Sequence, residues 1–262
     1  MLTCARKAAR RATGTTGTAG GSAARVEFAL TAAVLFVLVG AVRWVMASPL
    51  GGALPGPRPR LAVVAVIVCA ALALALSSAW GRRSGGHLNP AVTLALWVAG
   101  AFPGRRVLPY VAAQLAGSVA GTGLARLVWG PVVGGRMDYG AVRAAPGWPA
   151  GAVFGAEAGA TAAILAVALL LMSRPAWAHL LPFATALVIV GLGTLTDGSA
   201  NPARQFGPAL WADGSAYWSQ LWIYLLAPLA GAALPALVTR FGRVRSRGRR
   251  SVPGRCAAES TC

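Results

Sequence analysis

The sequence predicts an all-α membrane protein of six transmembrane helices and two re-entrant half-helices, arranged as an inverted-topology repeat. Three observations predict it. Charged residues make up 11% of the 262-residue chain, where a soluble globular domain carries roughly a quarter. Hydrophobic residues make up 56% and the mean hydropathy is +0.63. Several sequence blocks also recur, in the same order, in the two halves of the chain.

Composition excludes other classes. With 6 Asp and Glu in all, little is left for paired-carboxylate catalysis. Cys4, Cys69, Cys256 and Cys262 show no CxxC spacing, so neither a disulfide framework nor a metal site is indicated, and no cofactor is expected. The +18 net charge could suggest nucleic acid, but the basic residues sit between apolar runs and at the chain ends. They read as membrane topology, with the lipid bilayer as the partner and no nucleic acid.

A spanning helix needs about 20 mainly apolar residues. Six stretches supply them, at 25–46, 61–81, 107–129, 150–173, 176–196 and 216–239. The second runs from Leu61 to Gly81 without a charge, and the last from Gly214 to Thr239 likewise. Two shorter apolar segments, 90–100 and 202–210, follow the second and fifth spans. Each gives roughly 15 Å of helix, half a bilayer, so each is a re-entrant piece or a soluble loop.

The flanks and loops fix the orientation. Residues 1–23 and 243–262 are expected to be basic, disordered tails around a channel domain at 24–242, with one repeat at about 24–130 and the other at about 150–240. Arg10-Arg11 could open a twin-arginine signal, but the apolar run that follows is long enough to span and carries no convincing cleavage site. Basic residues gather on one set of loops: the N-terminal tail, Arg82, Arg83, Arg105, Arg106, Arg174 and the seven arginines from Arg240 to Arg255. The opposite loops hold Arg58, Arg60, Arg136 and Arg143. That asymmetry puts both termini in the cytoplasm, and the expected location is the plasma membrane.

Within the chain, Glu27-Phe-Ala-Leu-Thr31-Ala-Ala-Val-Leu matches Glu157-Ala-Gly-Ala-Thr161-Ala-Ala-Ile-Leu. Asn89-Pro90-Ala91 recurs as Asn201-Pro202-Ala203, and Tyr110 with Leu115-Ala116-Gly117 recurs as Tyr224 with Leu229-Ala230-Gly231. Three spans lie in each half. An odd number turns the second half upside down relative to the first, the architecture of channels and transporters with a site at the midplane.

Asn is a preferred N-cap and Pro is favoured at the first helical position, so Asn-Pro-Ala opens a helix. By the parity of the spans the two short helices enter from opposite faces, and their N-termini meet near mid-membrane. Each terminus carries unpaired N–H groups and about half a positive charge. Facing one another in low dielectric, they repel cations. Asn89 and Asn201 can each offer a side-chain N–H to a passing oxygen. A water held by both is discouraged from relaying a proton. A single such tripeptide is an ordinary N-cap on a surface helix; two at matching places in inverted halves argue against that.

SGGHLNPAV at 84–92 and GSANPARQFGPAL at 198–210 resemble the two signatures of the major intrinsic protein family, the aquaporins and glycerol facilitators. The resemblance covers about residues 24–242. It implies a passive pore through each subunit of a homotetramer, for water and small neutral solutes. It places Arg204 in a narrow constriction on the outer side, where the arginine donates to the permeant and repels cations. Spacing from the two motifs puts the other constriction positions at Cys69, Ile189 and Gly198.

Strict water channels carry an aromatic residue where this chain has Cys69 and a histidine where it has Ile189. The substitutions imply a wider, less polar constriction that passes small uncharged solutes such as glycerol, urea or ammonia besides water. Ile189 with Gly198 is similar to some plant vacuolar members. Against a glycerol specialist, Gln205 stands where glycerol facilitators carry aspartate.

Glu27 and Glu157 are carboxylates inside the membrane at equivalent repeat positions. A proton relay is one reading for such groups. The favoured one is a scaffold, each accepting from backbone N–H groups of a re-entrant loop. Gly117 with Gly121, and Gly155 with Gly159, are expected to let helices approach closely. His87 is expected to be structural, His179 interfacial, Gln114 part of the packing, and Asp138 and Asp213 solvated. A secondary transporter is the alternative function, but it needs coupling-ion ligands at the midplane. An enzyme is not expected: neither G-x-S-x-G nor H-E-x-x-H occurs.

Overall fold

The computed structural model describes residues 16–135, 137–171, 198–212 and 215–250. Its main helices are α1 (Thr16–Met46), α2 (Pro57–Ser77), α3 (Pro90–Val98), α4 (Val107–Trp129), α5 (Ala150–Leu171), α6 (Pro202–Trp211) and α7 (Ser215–Arg250). Among the described residues, five helical stretches are long and apolar enough to cross a membrane: Gly21–Met46, Pro57–Ser77, Gly104–Trp129, Ala150–Leu170 and Tyr217–Gly242. The expected span at 176–196, with His179 and Ile189, lies outside the described residues, as do Arg136 and Asp213. The half-helices are α3 and α6, of 9 and 10 residues.

Two boundaries differ from expectation. α1 is already helical at Thr16, and α7 continues to Arg250, inside the stretches expected to be disordered tails. Once a span is nucleated, each further residue adds a hydrogen bond at little cost, and the basic run meets no proline before Pro253.

The turn into the first half-helix is built from polar caps. α2 stops at Ser78, whose φ of −64° and ψ of 158° are extended, and whose side chain accepts from the Gly81 N–H at 2.9 Å. A short helix, Ala79–Ser84, then ends at Gly85 with φ 96°. That left-handed exit suits glycine. It turns the chain back into the membrane region.

The packing repeats itself. Among the described residues, the two largest helix interfaces are α1 against α4 and α5 against α7. Glycine makes both close. A Cβ on Gly117 would run into the Phe28 carbonyl, and one on Gly231 into the Ala158 carbonyl. Gly117 and Gly231 occupy the same repeat position, as do Phe28 and Ala158. Backbones this near gain dispersion contacts that larger side chains forbid.

The half-helices cross over between the halves. α6 packs on α4, and α3 packs on α7. At the second contact, Ala91 and Ala95 meet Ala232 and Ala236 in one buried cluster with Leu165 and Leu169. At the first, the Ser118 hydroxyl of α4 donates to the Ala203 carbonyl and accepts from the Gly207 N–H, and Gly207 leaves no room for a side chain against Ser118.

Candidate functional site

Two six-residue segments build the centre, Gly86-His87-Leu88-Asn89-Pro90-Ala91 and Gly198-Ser199-Ala200-Asn201-Pro202-Ala203. Their backbones match. Gly86 and Gly198 have φ of 59° and 57°, and Leu88 and Ala200 have φ of 49° and 47°. Asn89 and Asn201 then return to extended conformations, with φ of −154° and −152°. A positive φ at a non-glycine residue costs about 1–3 kcal/mol and persists only where surroundings impose it.

The surroundings are the two carboxylates. Glu27 of α1 accepts from the His87 N–H at 3.0 Å and the Leu88 N–H at 2.8 Å. Glu157 of α5 accepts from the Ser199 N–H at 3.1 Å and the Ala200 N–H at 2.8 Å. Both carboxylates are completely buried. Each supplies the partners that a strained loop inside the membrane needs.

The first half adds a network around Glu27. The Gln114 amide donates to Glu27 at 2.9 Å and to the Thr93 hydroxyl at 3.1 Å, while His87 Nδ1 lies 3.0 Å from that hydroxyl. The His87 ring packs on Phe102 and Tyr110, with centroids 4.7 and 5.1 Å away. Tyr110 in turn donates to the Ser84 carbonyl at 2.8 Å. At the repeat position of Gln114 stands Pro228, which has no side-chain amide to offer.

Each half-helix is capped by its asparagine. The Asn89 side-chain oxygen accepts from the Ala91 N–H at 2.8 Å, and that of Asn201 from the Ala203 N–H at 2.9 Å and the Arg204 N–H at 3.4 Å. The amide nitrogens reach across the repeat axis. Asn89 donates to the Ala200 carbonyl and Asn201 to the Leu88 carbonyl, both at 3.0 Å. An amide nitrogen carries two hydrogens, so the tie uses one and leaves the other for the lumen.

Both asparagines line a cavity of about 120 Å³. Its described lining combines polar side chains, among them His87, Ser199 and Arg204, with apolar ones such as Leu35 and Leu38 of α1 and Val68, Leu72 and Leu76 of α2. The positive ends of α3 and α6 point into this space, which makes it hostile to cations.

Arg204 follows the second cap and is held by the loop before α5, donating to the Gly140 carbonyl at 2.6 Å. Gln205, next to it, is completely buried. It grips Val142 at both ends, accepting from its N–H at 2.7 Å and donating to its carbonyl at 2.8 Å. Gln220 accepts from the Ala144 N–H at 3.1 Å. Asp138, expected to be solvated, instead accepts from the Tyr217 hydroxyl, because the loop folds down onto α7. Three side chains on two helices thus fix the loop that fixes Arg204. In the sequence Gln205 stands out only as a substitution, with no local sign of this clamp.

Of the other anticipated residues, Gly198 is on the cavity wall, and its φ explains the glycine without reference to width. Cys69 is buried on α2, but Val68 is the neighbour that lines the cavity. Among the described residues of the single chain, Gly155 and Gly159 bring no helices together: a Cβ on either meets nothing within 4 Å. They lie on the outward side of α5, whereas its inward side carries Glu157. Gln114 is more than packing, as its bonds to Glu27 and Thr93 show.

Known proteins resemble this chain. The family described as Major intrinsic protein matches residues 21–239. The chain is 37% identical over 176 residues to the probable aquaporin AqpM of Archaeoglobus fulgidus, spanning 63% of this chain and 72% of that protein. It is 36% identical over 190 residues to the glycerol uptake facilitator protein-like 6 of Lactiplantibacillus plantarum, spanning 68% and 84%. Among solved structures, the aquaglyceroporin from Plasmodium falciparum superposes with a TM-score of 0.67 at 21% identity, over 82% of this chain and 93% of that one. That last likeness is one of fold.

Proposed function

Because this chain belongs to the major intrinsic protein family, we propose that it is a passive transmembrane channel for water and small uncharged solutes that excludes protons and ions. It is an integral, multi-pass membrane protein. The observation that carries the reading is the cavity shared by Asn89, Asn201 and Arg204, with two helix N-termini aimed into it. Cations meet positive potential there, while a neutral molecule meets hydrogen-bond donors and an apolar wall.

The solute range extends beyond water. Relatives named aquaporin and glycerol uptake facilitator lie at similar distances in sequence, which agrees with an unspecialised filter. Gly198 and Arg204 line the described cavity, whose α2 wall is Val68, Leu72 and Leu76. Beyond that wall, Cys69 and Ile189 complete the narrow part and leave room that bulkier residues would fill. The protein works as a homotetramer in the plasma membrane, as the family resemblance implies; both termini lie in the cytoplasm, as the arginine asymmetry between its loops supports.

Stopped-flow light scattering on proteoliposomes, under water, glycerol and urea gradients, tests this. A channel gives solute entry linear in concentration and indifferent to proton or sodium gradients. Saturable entry driven by either gradient would identify a secondary transporter instead.

A further inference from the structure

From the loop before α5 we infer that Asp138 and Tyr217 are positioning residues for Arg204, and that through it they set how large a neutral solute the channel passes. The inference rests on the channel reading and deepens it. Three consecutive residues of that loop, Asp138, Tyr139 and Gly140, have φ of 43°, 56° and 74°. Aspartate tolerates the left-handed region and glycine favours it, but a bulky tyrosine there is an outlier. Such a turn persists only where its surroundings impose it.

Two side chains tie the turn down. The Asp138 carboxylate accepts from the Tyr217 hydroxyl of α7. Tyr139 is buried in one cluster with Leu38 of α1, Ala209 of α6 and Tyr217, and its ring centroid lies 6.4 Å from that of Trp211.

What the turn carries is the Gly140 carbonyl, which accepts from Arg204 at 2.6 Å. A carbonyl points where the dihedrals around it send it, so the left-handed residues aim this one. It is fixed from both sides, by Asp138 on Tyr217 two residues earlier and by Val142 on Gln205 two residues later. Gln205 adjoins Arg204 on α6 and moves with it. Tyr217 stands on another helix, so its anchor sets the carbonyl relative to the rest of the fold. A Cβ on Gly140 would meet Leu38 at 3.5 Å, and Leu38 and Arg204 both line the cavity. The bound guanidinium nitrogen is thereby held beside α1. Released, the guanidinium can swing into the space it borders, where it obstructs a glycerol-sized solute before it obstructs water.

The test reads water and glycerol permeability of proteoliposomes, per reconstituted subunit. Tyr217→Phe removes the hydroxyl and keeps the ring, and Asp138→Ala removes the acceptor. Each should lower glycerol permeability relative to water permeability roughly two- to tenfold, the population shift that one hydrogen bond of ordinary strength commands. Asp138→Asn keeps an acceptor oxygen and tolerates the left-handed φ, so its ratio should match the wild type. Tyr217→Phe added to Arg204→Val should change the ratio no further, because the effect passes through the arginine. Should Asp138→Ala fail to assemble, Tyr217→Phe and its pairing with Arg204→Val decide alone. An unchanged ratio in Tyr217→Phe, or the same shift with Arg204 already removed, overturns the inference and leaves the channel standing. A wild type that passes water but no glycerol does the same. A wild type that conducts neither overturns both.

Discussion

Asn89 and Asn201 each donate a side-chain N–H to the loop that carries the other, at 3.0 Å in both directions. Each asparagine therefore has two structural duties, capping its own half-helix and tying the opposite loop. The reciprocity holds the two turns at a set separation, which is what a narrow path between them requires.

Removing one tie should show in stability and in flux. Asn201→Ala deletes a helix cap, about 1 kcal/mol by itself, and frees the Leu88 carbonyl. Thermal unfolding in detergent should begin at lower temperature, and water permeability should fall. A variant as stable and as permeable as the wild type would mean that neither duty matters.

Glu27→Ala should be more damaging. It strips partners from the His87 and Leu88 N–H groups and from Gln114, and each buried donor left unsatisfied costs about 1–3 kcal/mol. The expected outcome is a sharp fall in the yield of monodisperse protein on size exclusion. Glu27→Gln, which keeps one acceptor oxygen, should recover part of it.

The glycines separate into two classes. Gly117→Ala and Gly231→Ala place a methyl group against a backbone carbonyl across the two main helix interfaces and should lower the melting temperature. Gly155→Ala meets nothing and gains up to about 1 kcal/mol of helix propensity. Its melting temperature should hold or rise, measured in the same detergent.

Arg204→Val should admit cations or protons more readily, read as dissipation of a pH gradient across proteoliposomes. The same change removes the donor to the Gly140 carbonyl, so the loop before α5 should become more open to limited proteolysis. An unaltered ion leak would remove Arg204 from the filter.

Mercurials should reduce water flux through the wild type, and Cys69→Ser should abolish the effect. The paired change Cys69→Phe with Ile189→His should suppress glycerol and urea entry while water entry persists. Equal loss of all three would count against size as the basis of selection.

What the sequence made legible follows from signals that survive without a fold. Asn-Pro-Ala carries its own local physics, so both half-helix starts could be read directly, and the paired glutamates followed from the repeat. The facing of α2 could not be read, because Leu61 to Ser77 is apolar or small on every side and hydropathy gives its length but no azimuth. Spacing pointed to Cys69, while the cavity wall has Val68. The clamp of Gln205 on Val142 was equally hidden, since 63 residues separate them and no local pattern links a buried amide to a distant loop. Gly155 and Gly159 show the limit of small-residue spacing: it marks where a close approach is possible, and the partner decides whether it happens.

The crossed seating of α3 on α7 and of α6 on α4 has a consequence for how the protein is made. As the chain leaves the ribosome, the first Asn-Pro-Ala turn is synthesised long before the helix that will shelter it. Until α7 inserts, the nascent first half carries a broken backbone in lipid with its alanine face bare. Neither half is a finished unit, so assembly is completed only at the last span, and a product truncated before Ser215 should be cleared by quality control rather than accumulate.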